Sequence, residues 1–81
     1  MKVCIRLFAM AKDIAGSDSI WLELPEGATV AQLRTCLAAE MPALAGGLPQ
    51  VLFAVGTEYA RDDTVISESS EVACIPPVSG G

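Results

Sequence analysis

Residues 28–42 read "ATVAQLRTCLAAEMP", and the spacing of their apolar positions decides the fold class. Val30, Leu33, Leu37 and Met41 recur at intervals of three and four, with Cys36 beside them, which gives a helix one apolar stripe. Thr29 is placed as N-cap, with Gln32 completing a capping box, and Pro42 marks the end. A helix with one apolar stripe must lie across a sheet, and the flanking sequence supplies strands. "KVCIRLF" (2–8) alternates, with Val3, Ile5 and Leu7 on one face and Lys2, Cys4, Arg6 and Phe8 on the other. "IWLEL" (20–24) alternates again, with Ile20, Leu22 and Leu24 inward and Trp21 and Glu23 outward, so the two form an antiparallel pair. Between them "AMAKDIAGSDS" (9–19) reads as a connection with turn chemistry at Gly16, Ser17 and Asp18.

Downstream of the helix, "PALAGGLP" (42–49) reads as a flexible connection. "VLFAV" (51–55) is a continuous apolar run, expected as a central strand buried on both sides. A turn at Gly56 and Thr57 leads to a short strand over Glu58–Ala60, then "RDDTVISESS" (61–70) is polar connection. The last run, "EVACIPP", is extended, with Val72 and Cys74 on one face and Ala73 and Ile75 on the other. The order is strand, strand, helix, strand, short strand, strand: an α+β domain over residues 1–75, followed by an extended tail, 76–81. No internal repeat is seen in these residues, and a single domain is expected.

Composition bounds the function. A chain of 81 residues is one small domain, in which a deep enclosed cleft is not expected. Hydrophobic residues make up 52% and charged residues 19%, enough for a core and too apolar for intrinsic disorder. No run approaches the roughly 20 apolar residues that span a bilayer, and the opening residues lack a signal peptide's apolar stretch, so the expectation is a soluble cytoplasmic protein. The net charge of −5 makes nucleic acid and anionic membrane poor partners and a basic protein surface a better one. Residues 1–40 hold four basic residues against five acidic, whereas residues 41–81 hold Arg61 alone against five acidic, so the half that carries the tail is the acidic one. Glu58, Asp62, Asp63, Glu68 and Glu71 act either as a steering surface or as ordinary solvated loop. Three cysteines without CxxC spacing, and no histidine, give no metal site and no histidine-activated nucleophile. Cys36 reads as packing and Cys74 as core rather than persulfide carrier; Trp21 is either a contact residue or a cover for the sheet edge.

The tail has its own chemistry. Pro76 and Pro77 fix φ, remove two backbone donors and restrict Ile75, so the chain leaves the sheet stiff and extended. Beyond Val78, Ser79 adds one hydroxyl and Gly80 and Gly81 add nothing, which makes a thread able to enter a narrow channel. A carboxylate at Gly81 is a poor electrophile until joined to AMP, after which sulfide or a thiol can take the acyl carbon. The product is a thiocarboxylate or thioester, both group-carrier chemistry.

"EVACIPPVSGG" (71–81) resembles the C-terminal signature of the small subunit of molybdopterin synthase, a ubiquitin-like sulfur-carrier family. "KVCIRLFAMAKDIAGSD" (2–18) is similar to that family's first strand and the segment after it, and "LPEGATVAQLRTCL" (24–37) to its turn into the helix, so the resemblance spans the chain. It implies a β-grasp fold: a mixed sheet with one main helix across one face, and the first and last strands parallel at its centre. It implies a non-catalytic subunit whose Gly81 is adenylated by a ubiquitin-activating-type enzyme, converted to a thiocarboxylate and threaded into the large synthase subunit, in a heterotetramer. There the sulfur would pass to cyclic pyranopterin monophosphate in molybdenum cofactor synthesis. The chain itself would bind no cofactor, ATP being used by the activating enzyme. Gly80, Ser79, Val78, Pro77 and Pro76 would form the threaded arm, and Phe8, Tyr59 and Ile75 the surface contacts for partners. Parity independently puts Phe8 and Ile75 off the core face. Two departures stand out: Gly56 replaces the usual Asn at its turn, where both tolerate positive φ, and Ser69-Ser70 replaces a Gly-Asp pair. The alternatives are a related carrier for thiamine, tRNA or cysteine synthesis, a ubiquitin-like protein modifier, and an interaction module with an inert tail. The two prolines argue against the thiamine type.

Overall fold

Alternation of buried and exposed side chains makes Lys2–Leu7 the first strand, β1. The computed structural model describes the backbone of residues 1–76 and the side chains of all of these except 45 and 47–49. After β1 come α1 (Ala9–Ala15), β2 (Ser19–Glu23), α2 (Val30–Glu40), a 3₁₀ segment (Pro42–Gln50), β3 (Leu52–Val55), β4 (Glu58–Ala60) and β5 (Val72–Ile75). The five strands form one sheet in the order β2-β1-β5-β3-β4, with β1 and β5 parallel and every other pair antiparallel. The first and last strands are therefore neighbours at the centre, the β-grasp arrangement.

The capping box at the start of α2 is formed from both sides: the Gln32 N–H donates to the Thr29 hydroxyl oxygen, and the Thr29 N–H donates to Gln32 Oε1. The next orphan donors of the first turn are met by tertiary contacts. Val30 N–H reaches the Thr64 carbonyl and Ala31 N–H the Asp62 carbonyl, each at 3.0 Å. The polar connection 61–70 is thus tied to α2, and Ile66, whose N–H donates to the Ala28 carbonyl, is buried beside it. Arg34 adds a strut. Its Nε donates to Asp62 at 2.9 Å, its Nη1 to the Val51 carbonyl at 2.6 Å, and its guanidinium lies 4.9 Å from the Phe53 ring centroid. One side chain joins the helix, the 61–70 connection and the entry to β3.

Val30, Leu33 and Leu37 of α2 pack with Val3, Ile5, Leu7, Leu22, Phe53, Val72 and Cys74 from one face of the sheet. Nothing among the described helices covers the other face. That asymmetry corrects one expectation: the 51–55 run is not buried on both sides, because Leu52 is 52% exposed and Ala54 half-buried. Two connections also prove more ordered than their sequence implied. Residues 9–15 form α1, which a seven-residue helix with small Ala11 and Ala15 inward signals only weakly, and Gly16, read as a turn residue, is its left-handed C-cap at φ 72°. Residues 42–50 form 3₁₀ turns rather than flexible chain, with Leu44 buried against the core.

Cys74 is a core residue, fully buried in β5. Burial pushes its thiol from the ordinary 9.0 up to about 11, with Arg34 pulling weakly the other way. The unfolded chain therefore loses this proton first as pH rises. The thiol's contribution to stability is whole below pH 9 and lost on the way to pH 11, so Cys74→Ala should show a shallower alkaline loss in urea titrations than wild type. Thr29→Ala should lower unfolding free energy by about 1 kcal/mol in the same assay, and Thr29→Ser should restore most of it.

Candidate functional site

The register across the sheet defines what its uncovered face presents. Arg6 faces Ala73 and Leu7 faces Cys74 across the parallel pair, and the Phe8 N–H donates to the Cys74 carbonyl at 3.3 Å, so β1 carries Phe8 alongside Ile75. On the other side of β5, Ile75 faces Leu52, and Ala73 faces Ala54, which in turn faces Tyr59. Side chains of like parity share a face, so Phe8, Ile75 and Leu52 form one row across three strands. Behind that row lie Arg6, Ala73, Ala54 and Tyr59, and further back Cys4 with Trp21 opposite it. Phe8 is 42% exposed and Tyr59 69%, while Ile75 is half-buried between its neighbours. The Arg6 guanidinium sits 5.8 Å from the Phe8 ring centroid, a cation over an aromatic face.

This face is apolar at its centre and open to solvent, the kind of patch that marks a binding surface on a small protein. Between Ala54, Gly56, Thr57, Tyr59 and Ile75 lies a shallow concavity of about 240 Å³, large enough for a partner's side chain. A larger hollow of about 420 Å³, lined among others by Pro25, Gln32, Thr35 and Cys36, lies beside Glu23, at the end of the sheet away from Ile75.

The three contact residues named from the sequence, Phe8, Tyr59 and Ile75, are thus brought to one face. Leu52 belongs with them and was missed, because a continuous apolar run hides its own parity; taking Phe53 as inward would have turned Leu52 and Ala54 outward. Trp21 is 67% exposed on the same face but on β2, at the sheet's edge. Pro76 is buried, so the chain is held against the domain up to that residue. Pro77, Val78, Ser79, Gly80 and Gly81, named as the arm and its reactive end, lie outside the described residues.

The backbone bends sharply beside the row. Phe8 keeps the extended geometry of β1 (φ −128°, ψ 155°), and Ala9, at φ 52°, turns the chain into α1. A left-handed alanine costs on the order of 1 kcal/mol. It is held there by the Phe8–Cys74 bond before it and by the Ala11 and Lys12 N–H groups, both donating to the Phe8 carbonyl, after it. Such local strain tends to persist where the geometry serves a site.

Of the acidic residues in the second half of the chain, Asp62 is engaged by Arg34 and Asp63 pairs with Arg61 at 3.3 Å. Glu58, Glu68 and Glu71 are exposed. Among the described residues no group of three or more Cys, Asp or Glu is placed to hold a metal ion, and no helix is long and apolar enough to cross a membrane.

Comparison with known proteins agrees with this geometry. Residues 5–81 match the model of the ThiS family. The chain is 42% identical to the molybdopterin synthase sulfur carrier subunit of Dictyostelium discoideum, over 95% of this chain and 93% of that one. It is 35% identical to the protein of the same name from Chlamydomonas reinhardtii, with both chains covered in full. The crystal structure of SAMP1 from Haloferax volcanii superimposes with a TM-score of 0.85 at 26% identity, each chain covered completely. An α+β sheet with its first and last strands paired at the centre, one uncovered face with an apolar centre and this full-length likeness place the chain in the ThiS family, among the molybdopterin synthase sulfur carrier subunits.

Proposed function

We propose that this protein is the sulfur-carrier subunit of a molybdopterin synthase, and that Gly81 is the atom-bearing end. The observation that carries the reading is the row Phe8, Ile75 and Leu52, set on the uncovered face where β5 hands over to the tail. A domain whose binding face adjoins the base of a side-chain-poor thread is built to be gripped while the thread is presented. The Gly81 carboxylate attacks the α-phosphorus of ATP on an activating enzyme, releasing pyrophosphate and leaving an acyl-adenylate. Hydrosulfide then adds to the acyl carbon and AMP departs, and loss of the S–H proton leaves a thiocarboxylate. Glycine lacks Cβ, so neither attack meets a side chain. In the large synthase subunit the thiocarboxylate sulfur attacks a carbon of the pterin precursor, cyclic pyranopterin monophosphate, displacing an oxygen substituent; water then hydrolyses the acyl–sulfur bond, which leaves the sulfur on the precursor and restores the carboxylate. On this reading the domain supplies grip and position, and the two partner enzymes supply the catalytic groups. It holds no cofactor, and ATP is a substrate of the activating enzyme.

The acyl chemistry is tested by incubating the protein with ATP, a cognate activating enzyme and a sulfur source and measuring intact mass. The expected product is heavier by the exchange of one oxygen for sulfur, and the gain disappears when Gly81 is deleted. No gain with an activating enzyme proven competent would sink the proposal, and ladders of isopeptide-linked adducts would identify a protein modifier instead. The grip is tested separately. Leu52→Asp and Tyr59→Asp should each weaken binding to the large subunit by about 30-fold, as buried interface anchors do. Because both side chains are more than half exposed, thermal unfolding should stay close to wild type.

A further inference from the structure

Helix α1 carries a second apolar surface that the row on the sheet does not include. Met10 is 46% exposed and Ile14 39%, and they stand four residues apart, one above the other on the helix. At 100° per residue they fall on one flank of the buried stripe made by Ala11 and half-buried Ala15, and Lys12 falls on the opposite flank. The salt bridge of Lys12 to Asp18 fixes which flank faces which way. Asp18 immediately precedes β2, and its carbonyl accepts from Leu7 N–H at 2.7 Å, so the Lys12 flank is turned toward the β2 side of β1. β5 lies on the other side of β1, and α1 packs against both β5 and the 3₁₀ segment. The flank bearing Met10 and Ile14 is therefore turned toward the side on which β5 ends and the tail begins.

Reach decides what meets that flank. Five residues separate Pro76 from the end of Gly81, and a fully extended chain of that length spans at most about 18 Å. A partner that holds Gly81 in an enclosed site must bring its own surface close around Pro76. A standard interface of roughly 800 Å² per partner covers a patch about 16 Å in radius. Phe8 lies beside Ile75, Met10 is two residues beyond Phe8, and Ile14 is one helical turn further, so Met10 falls inside such a footprint and Ile14 at its margin.

We infer that Met10 and Ile14 form a docking surface for the large synthase subunit, continuous around the base of the tail with Phe8, Ile75 and Leu52. The inference rests on the sulfur-carrier reading. The pair is uncharged, and uncharged apolar contact suits a lasting subunit interface better than the brief encounter with an activating enzyme. The left-handed turn at Ala9 gives this surface its shape, since it sets the helix flank at the border of the sheet row.

The test uses the full-length double variant M10Q/I14Q, which removes the apolar character without lowering helix propensity, and K12Q as a control on the opposite flank. Binding to the purified large subunit is titrated, and thiocarboxylate formation on the activating enzyme is timed in parallel. M10Q/I14Q should bind the large subunit at least about tenfold more weakly and still acquire sulfur at a rate within about twofold of wild type, which also shows that it is folded. K12Q should match wild type in both. Normal binding by M10Q/I14Q, an equal loss in K12Q, or a parallel loss of sulfur acquisition would overturn the surface while leaving the carrier reading intact. Failure of the wild-type chain to acquire sulfur would instead remove the carrier reading and the surface together.

Discussion

The parallel pairing of β1 with β5 is the constraint on which the rest of this structure depends. It joins segments near the two ends of the chain, with Ile5 facing Val72 and Leu7 facing Cys74, so everything between must fold back around it. Closing so long a loop carries an entropic cost that two short strands cannot offset alone. The burial of Val3, Ile5, Leu7, Val72 and Cys74 beneath α2 supplies the difference. The same pairing sets the strand that precedes the tail at the middle of the sheet, with β1 on one side and β3 on the other. Ile75 is thereby held between Phe8 and Leu52, and Pro76 is buried just beyond it. A tail leaving an edge strand would have had one neighbour and half the support.

A sheet covered on one side only has two different faces, and here their compositions differ. The covered face is uniformly apolar, down to a cysteine whose thiol is too buried to ionise near neutrality. The other face mixes apolar side chains with Arg6 and the exposed Tyr59 and Trp21, a composition that tolerates water and also suits an interface. Around its border the chain has been secured by contacts of different kinds. Arg34 pins the entry to β3 from below, the 61–70 connection caps α2, and the strained turn at Ala9 directs α1 toward the base of the tail. A partner that grips the uncovered face therefore meets a surface whose row is fixed by backbone pairing.

How far the sequence carried depends on whether a feature is periodic. Alternation in 2–8 and 20–24, the three-and-four spacing in 30–41 and the Thr29–Gln32 pair each gave an element that the structure contains. They are legible because one face of each is buried, and burial of a single face imposes a period on the residues. Helix α1 was not legible, since its inward residues are alanines and its seven residues complete only two turns. The parity of β3 was hidden for the opposite reason, every residue in the run being apolar. Of the residues on the uncovered face, Phe8 and Ile75 were placed by parity, whereas Leu52 was not.

The sequence by itself determined the α+β class, the side chains that face the core from β1, β2, α2 and β5, and the lack of side chains at Gly80 and Gly81. Each follows from residue type and local spacing, which need no knowledge of distant neighbours. Only the tertiary structure decided that Leu52 stands beside Ile75, that Arg34 reaches Asp62 and the Val51 carbonyl, and that Lys12 meets Asp18. These are relations between different segments of the chain. They are set by strand order and by which face of the sheet is covered, and no local period records either.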